Sequence, residues 1–262
     1  MNAQPVGHLL REWRQRRRLS QLDFATEAEI SSKHLSFLET GRSQPSRDML
    51  LRLAEILDVP LRERNAMLIA AGFAPMFTER SLSDPALQAA RDAVQLVLKG
   101  HEPYPALAID RHWHMLAANA AVTPLLDGID AELLKPPVNV LRLSLHPNGL
   151  APRIVNLPQW RAHLFARLRR QIDVSADLAL IKLLDELWEY PAPAANAREA
   201  RIDAHSVVVP LQLAINGVVL SFISTTTVFG TPIDVTLAEL ALESFFPADA
   251  ATAKILRGER AG

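Results

Sequence analysis

The apolar residues of the first 75 positions recur at the three- and four-residue spacing of amphipathic helices. N-cap residues and helix breakers divide this stretch into five predicted helices. The second and third are short and are joined by a tight turn, which is the layout of a helix-turn-helix. The predicted helices begin at Val6 and after Ser20, Ser31, Ser46 and Pro60, and Gly41 and Gly72 end the third and the fifth.

The polar and small residues of these helices keep one register: Ser20-Gln21, Ile30-Ser31-Ser32, Leu38-Glu39-Thr40-Gly41-Arg42 and Pro45-Ser46. Between Val6 and Val59 this register resembles, without a gap, the phage-repressor-like (XRE) family of helix-turn-helix transcription regulators. The family usually has glycine where Glu29 stands, so the turn between the second and third helices is a departure from its pattern.

The resemblance implies a DNA-binding site on the second and third helices. In the family, the glutamine that opens the second helix and the loop after the third helix touch the DNA backbone. The outward side of the third helix enters the major groove and reads base edges. The corresponding residues are Gln21 for a phosphate, Ser32, Lys33, Ser36 and Phe37 for base edges, and Arg42 and Ser43 for the backbone-contact loop.

Several of these positions keep two interpretations. Lys33 could reach a guanine or only a phosphate, and Phe37 suits a thymine methyl group or packing on a neighbouring domain. His34 is either a contact or a helix-packing residue. Arg14 and Glu39 match a family ion pair that links the first and third helices, so we expect them to support folding more than recognition.

The pattern changes after residue 75, where residues 76–84 are a predicted linker and strands alternate with helices beyond it. Asp84-Pro85 predicts the start of a helix that runs to Lys99. Asn119 is predicted to cap a short helix, and Asn216-Gly217 to form a hairpin turn. The other predicted elements are strands over Leu107–Asp110, Trp113–Ala118, Val207–Ile215 and Val218–Phe229, helices over Pro158–Gln171, Asp177–Glu189 and Val235–Phe245, and a loop over Pro191–Ala200.

Several segments of this second part follow one order: His101-Glu102-Pro103-Tyr104-Pro105-Ala106, Asp110-Arg111-His112-Trp113, Leu145-His146-Pro147, Thr225-Thr226-Thr227-Val228-Phe229-Gly230-Thr231 and Glu243-Ser244-Phe245-Phe246-Pro247. They resemble the helix-turn-helix regulators that carry an MmyB-like ligand-binding domain, which is PAS-like, with a curved antiparallel sheet and helices over one face. The fold class implied is α+β, with an all-α five-helix helix-turn-helix domain in residues 1–75 and a PAS-like α/β domain in residues 85–262.

Composition and charge exclude several classes of site and point to a nucleic-acid-binding region. The net charge is −1 at pH 7, but the first 75 residues carry a local excess of arginine, which suits nucleic-acid binding. The absence of cysteine excludes disulfides, thiolate zinc sites and thiol nucleophiles. Neither a membrane-length apolar run nor a signal-peptide pattern is present, so we expect a cytoplasmic protein without a membrane partner.

Three functions remain open for the second domain, and the first is a small-molecule sensor. The ligands that the family resemblance implies are lipid-like acyl chains. Arg153 is a further candidate for a fatty carboxylate, although it and Arg142 also suit structural pairs. The predicted cavity residues are Trp113, Met115, Phe222 and Phe229, which equally suit an ordinary core, with Arg142 and His146 for a carboxylate.

The second function is dimerisation without a ligand, because helix-turn-helix proteins usually bind pseudo-palindromic double-stranded operators as homodimers. Leu87, Val94 and Leu98 could contribute to that interface or to the core. The third function, an enzyme, lacks a catalytic motif, and we expect no cofactor. The histidines show no metal-binding spacing, and His112 and His114 should diverge across a strand unless His112 lies in the turn.

Overall fold

The computed structural model describes residues 4–191 and 208–259. These residues form two compact units. The first contains the chain up to Arg80 together with Gln171–Ala176 and Pro232–Ala238. The second contains Ser81–Arg170 and the described parts of the chain beyond Ala176 that the first does not include. The division at Arg80 falls inside the predicted linker.

The first unit contains the predicted helices. Ser20 accepts the N–H of Asp23 at 3.0 Å while the Asp23 carboxylate accepts the N–H of Ser20 at 3.3 Å, so the second helix begins in a capping box. Ser31 caps the third helix through the N–H of His34. The helices are α1 (Val6–Arg16), α2 (Gln21–Glu27), α3 (Ser32–Glu39), α4 (Arg47–Ile56) and α5 (Leu61–Ala70).

A close approach between α1 and α3 explains a glycine that the sequence pattern left unassigned. A Cβ atom on Gly7 would lie 2.2 Å from the backbone oxygen of Leu38. Leu10, Leu35 and Leu38 are fully buried in the core that this approach closes. Only glycine lets the two backbones come this near.

The turn between α2 and α3 keeps a left-handed residue. Glu29 has φ 53°, in the region where glycine is usual and other L residues are strained. The departure from the family pattern therefore puts a glutamate side chain where the family has glycine, while the backbone keeps the left-handed conformation that glycine favours. Gly41, with φ 73°, ends α3 as predicted.

The second unit is built on a five-stranded antiparallel sheet in the order β2-β1-β5-β4-β3. Its α+β character confirms the predicted fold class. The strands are β1 (Ala106–Ile109), β2 (Met115–Ala118), β3 (Leu211–Ile215), β4 (Val218–Val228) and β5 (Ala241–Pro247). The helices in this part of the chain are α6 (Gln88–Gly100), α7 (Val140–Leu145), α8 (Leu157–Ser175), α9 (Leu178–Glu189), α10 (Val235–Ala238) and α11 (Ala250–Leu256), of which α10 and the end of α8 belong to the first unit.

Helices cover both faces of this sheet, whereas the prediction placed them over one. Ala106 and Ala108 of β1 pack with Val94 and Leu98 of α6. Leu107, which points to the opposite face because side chains alternate along a strand, lines a cavity together with residues of α7 and α8. The cavity face and the α6 face are therefore separated by the sheet.

The predicted helix over Val235–Phe245 is wrong. The chain forms only one helical turn, α10, and then enters β5, which lies in the middle of the sheet. Three consecutive residues of β5, Leu242, Glu243 and Ser244, are buried because a central strand is covered on both faces. The alternation that marks a strand is lost, and the alanine, leucine and glutamate of this stretch favour helix instead.

Two further predictions are corrected or limited. The Asn119 side chain does not cap the short 3-10 helix over Ala120–Leu126; its amide donates to Leu98 and Tyr104 carbonyls, and its oxygen accepts from Ala106 N–H. The predicted loop after Pro191 and the start of the strand at Val207 lie outside the described residues. Asn216-Gly217 does form the β3–β4 turn, with φ 49° and 79°. No helix among the described residues is long and apolar enough to cross a membrane.

Candidate DNA-binding surface and ligand cavity

A buried polar network joins the three helices of the helix-turn-helix region. Arg14 of α1 donates two hydrogen bonds to Glu39 of α3, at 2.6 and 2.9 Å, which confirms the predicted ion pair. Its bond to Glu39 raises the pKa of Arg14 above its ordinary value, although burial opposes this. Gln21 of α2 donates its side-chain amide to the same carboxylate at 2.8 Å. An amide nitrogen carries two hydrogens, so the bond to Glu39 leaves one Gln21 hydrogen for another acceptor.

The outward side of α3 forms a polar and cationic surface. Ser32 and Lys33 are exposed, and Ser36 and Phe37 are partly exposed. The Lys33 Nζ lies 5.7 Å from the centre of the Phe37 ring, and the Arg42 Cζ lies 5.8 Å from it. Phe37 therefore supports two cations on one surface, within the distance range of cation–π contacts.

The loop after α3 is attached to this surface by backbone hydrogen bonds. The N–H groups of Arg42 and Ser43 both donate to the Phe37 carbonyl, at 2.8 and 3.2 Å. The structure thus brings Lys33, Phe37, Arg42 and Ser43 together. Gln21 lies beside Glu39, at the start of α2.

The arginine run of α1 is less available to DNA than its charge suggests. The buried Arg14 is paired with Glu39. Arg17 donates to the carbonyl oxygens of Leu57 and Asp58, both at 2.7 Å, and thereby satisfies the C-terminal end of α4. These two arginines hold the helices together. We therefore expect Lys33 of α3 and Arg42 of its loop to contribute more to DNA binding than Arg14 and Arg17.

The second unit contains an apolar cavity of about 100 Å³ between the sheet and helices α7 and α8. Trp113, Met115 and Phe222 line it, as predicted from the sequence. Other apolar lining residues come from β1, β3, β5, α7, α8 and the 3-10 helix over Ala120–Leu126, and they include Leu107, Val122, Leu141, Leu164, Leu213 and Phe245.

Three predicted ligand residues lie elsewhere. Phe229 packs against the cluster of α6, β1 and Leu240 on the other face of the sheet. Arg142 donates two hydrogen bonds of 2.7 Å to Glu186, and the bond from Arg142 lowers the pKa of Glu186. His146 contacts the Tyr190 ring edge-on, with 5.0 Å between ring centres.

The charged pair in the cavity wall was missed by the sequence analysis. Arg167 of α8 donates to both carboxylate oxygens of Glu243, at 2.5 and 3.1 Å, and its guanidinium lies 4.9 Å from the centre of the Trp113 ring. Thr226 donates its hydroxyl to Glu243 at 2.8 Å. Because Glu243 belongs to the stretch predicted as helix, its direction toward Arg167 could not be read from the sequence.

The volume limits what fits without rearrangement. An engineered cavity of about 150 Å³ accepts benzene, and pockets for drug-sized ligands are usually about 300–1,000 Å³. The cavity of this protein, at about 100 Å³, is smaller than the benzene-binding cavity and smaller than a pocket for a drug-sized ligand. A long acyl chain therefore needs the walls of this cavity to move apart.

A helix-turn-helix with Lys33 and Arg42 on the outward surface of α3 and its loop, joined to a sheet-based domain, is typical of DNA-binding transcription regulators. Comparison with protein families agrees: residues 5–67 match the model described as "Helix-turn-helix domain". Residues 90–258 match the model described as "MmyB-like transcription regulator ligand binding domain". The chain belongs to this MmyB-like family of transcription regulators. A search of curated proteins gave no match.

Proposed function

We propose that this DNA-binding transcription regulator recognises a specific operator through the outward side of α3 and responds to a small apolar ligand in the cavity. The observation that supports DNA recognition is the surface on which Lys33 and Arg42 both lie against the Phe37 ring. Lys33 and Ser36 can offer donors to base edges, while Arg42, Ser43 and Gln21 would hold the DNA backbone.

The test separates base reading from phosphate binding. Lys33→Ala should weaken binding to a selected operator by about 1–3 kcal/mol and relax the preference at one base pair. Gln21→Ala should weaken operator and random duplex alike, because a phosphate contact carries no sequence information. Equal losses of Lys33→Ala on both kinds of DNA would make Lys33 a phosphate contact and contradict its role in specificity.

The ligand that the cavity supports is predominantly apolar. The charged residues in the cavity wall, Arg167 and Glu243, form an ion pair with each other, so together they bring almost no net charge to the cavity. A fatty carboxylate would have to compete with Glu243 for Arg167, whereas an uncharged apolar molecule would not. Because the cavity must widen, a ligand stabilises an expanded arrangement, and DNA affinity changes only by the difference in its affinity for the two arrangements.

The polypeptide backbone connects the cavity wall to the DNA-binding unit and could transmit that response. The strands β4 and β5 carry Phe222 and Glu243 of the cavity wall, and the segment connecting them, Pro232–Ala238, belongs to the first unit. There the buried Asp234 pairs with Arg80 at 2.9 Å, and Val235 donates to the Thr78 carbonyl. Spreading the strands would pull on a segment that is fixed to the DNA-binding unit.

A second function, dimerisation without a ligand, is supported by the outer side of α6. Leu87, Val94 and Leu98 are buried in the unit, so they belong to the core. Leu96 and Val97 of the same helix are 73% and 45% exposed. An apolar pair in that position suits a homodimer on a pseudo-palindromic operator.

Native mass spectrometry of the purified full chain distinguishes these functions. The sensor predicts an additional mass of acyl size that leaves on gentle activation, and the homodimer predicts twice the chain mass. A dimer that never carries or accepts an apolar ligand would support the dimerisation function and contradict the sensor. Acyl chains of graded length, added at increasing concentration, provide the matched series.

A further inference from the structure

The turn between β1 and β2 brings two histidines and an aspartate together. One ligand atom each from Asp110, His112 and His114 lies within 4.8 Å of the others. The ring centres of His112 and His114 are 6.0 Å apart. Their convergence agrees with the alternative in which His112 lies in the turn, because the turn comprises Arg111 and His112 and the strand β2 begins only at Met115.

The backbone of this turn is fixed in an unusual conformation. Trp113 has φ 67°, which is rare for a bulky side chain and costs free energy. The turn is held from several sides: Asp110 Oδ1 accepts the N–H groups of His112 and His114, both at 2.8 Å, and Asn139 donates to the His112 carbonyl at 2.8 Å. This conformation puts both histidines on one side of the turn.

The distances fit a first-row divalent ion. His114 Nδ1 and Asp110 Oδ2 are 3.0 Å apart. In the structure this is a hydrogen bond, which the metal would replace: two ligands that each lie about 2.1 Å from a metal are separated by about 3.4 Å at the tetrahedral angle of zinc and by about 3.0 Å at a right angle. Two imidazoles and one carboxylate form a donor set that suits zinc and its neighbours in the first transition row.

A second carboxylate orients one of the histidines. Asp177 Oδ2 accepts a hydrogen bond of 2.9 Å from His112 Nε2, and Asp177 itself is fixed by the Ala179 N–H at 2.8 Å. A ligating histidine usually donates its other ring N–H to a carboxylate, which sets the tautomer and leaves the lone pair on the metal-facing nitrogen. With Nε2 donating, Nδ1 of His112 is the nitrogen that carries the lone pair.

The surrounding charge favours a cation. Asp110, Asp177 and Glu239 bring three carboxylates, whereas Arg111, 3.4 Å from Asp177 and 3.6 Å from Glu239, brings one guanidinium. Around the turn, the carboxylates therefore exceed the cation by two, which is the charge of one divalent ion.

We propose that Asp110, His112 and His114 bind a divalent first-row transition metal ion. Asp177 is a positioning residue that acts through His112. Trp113, which stands between the two histidines in the chain, lines the cavity, so the proposed site is adjacent in sequence to a cavity residue.

The experiment titrates Zn²⁺ and Co²⁺ into the untagged full chain after removal of metals by a chelator. Calorimetry should give one ion per chain, and bound Co²⁺ should show visible absorption of nitrogen and oxygen ligation without a thiolate band. His112→Ala and His114→Ala should each weaken Zn²⁺ binding by at least about tenfold, and Asp177→Asn by roughly 10–100-fold.

The control is His8→Ala, which removes an exposed histidine 3.6 Å from Glu12 and should leave the affinity unchanged. If a histidine variant fails to fold, Zn²⁺ protection of the wild-type histidines from diethyl pyrocarbonate gives the same answer by peptide mass. Protection of His112 and His114 supports the site. No binding, or binding abolished by His8→Ala and not by His112→Ala with His114→Ala, overturns it.

Discussion

Replacing Glu39 with alanine should destabilise the DNA-binding unit while leaving the proposed base-contacting side chains on the outward side of α3 unchanged. The Glu39 side chain is 1% exposed and the Arg14 side chain 9%. The substitution removes both hydrogen bonds from Arg14 and the one from Gln21, and it leaves a buried guanidinium without its carboxylate. Breaking one partner of a buried ion pair costs about 3–5 kcal/mol.

Amide hydrogen exchange of the full chain measures this cost locally. Because 1.4 kcal/mol is a factor of ten, exchange in the peptides of α1 and α3 should accelerate by about a hundredfold or more, up to the limit set by global unfolding. The exposed Glu55→Ala of α4 is the control and should change stability by less than about 0.5 kcal/mol.

A double variant tests the reasoning about charge. Arg14→Met with Glu39→Leu fills similar volume without a buried charge and should recover most of the lost protection. Operator affinity of Glu39→Ala, measured where the unit is still folded, should fall by less than its stability does. Unchanged exchange in Glu39→Ala, or lost DNA binding with normal exchange, would refute the structural role of the pair.

Three other predictions follow from buried contacts. Gly7→Ala should destabilise α1 and α3 by about 1–3 kcal/mol in denaturant titrations, because its Cβ meets a backbone oxygen; Gly100→Ala, with open space around it, should not. Arg167→Met should destabilise the second unit by up to about 3–5 kcal/mol in denaturant titrations, because it leaves the buried Glu243 without its guanidinium partner; a change of less than about 0.5 kcal/mol would contradict this. Burial, and to a lesser extent the charge of Arg167, lowers the pKa of His163, so the folded state binds a proton there less readily than the unfolded state. The free energy of unfolding should therefore decrease as the pH drops below about 6.5. His163→Asn should make the free energy of unfolding depend less on pH in that range.

The helix-turn-helix region could be predicted closely because its signals are local. The Ser20 capping box, the Ser31 cap and the left-handed Gly41 each act within a few residues. The Arg14–Glu39 pair followed from the family resemblance. Gly7 did not, because only the approach of a distant backbone shows why that position has no side chain.

The second domain was harder because its decisive contacts are long-range. The residues of β5 favour helix when read alone, and only burial on both faces makes them a strand. That error concealed the pairing of Glu243 with Arg167, which lies 76 residues away along the chain. The position of Trp113, Met115 and Phe222 in the cavity wall could be predicted, since large apolar residues tend to face the interior, and their contact with a ligand stays a prediction.

The central claim is that the outward side of α3 meets duplex DNA. Photocrosslinking of the full chain to genomic duplex fragments, with a photoreactive side chain at Ser36 or, as control, at Glu55, tests it most directly. The account predicts crosslinks from Ser36, lost when unlabelled operator competes, and few from Glu55. Crosslinks from Glu55 with none from Ser36 would contradict it.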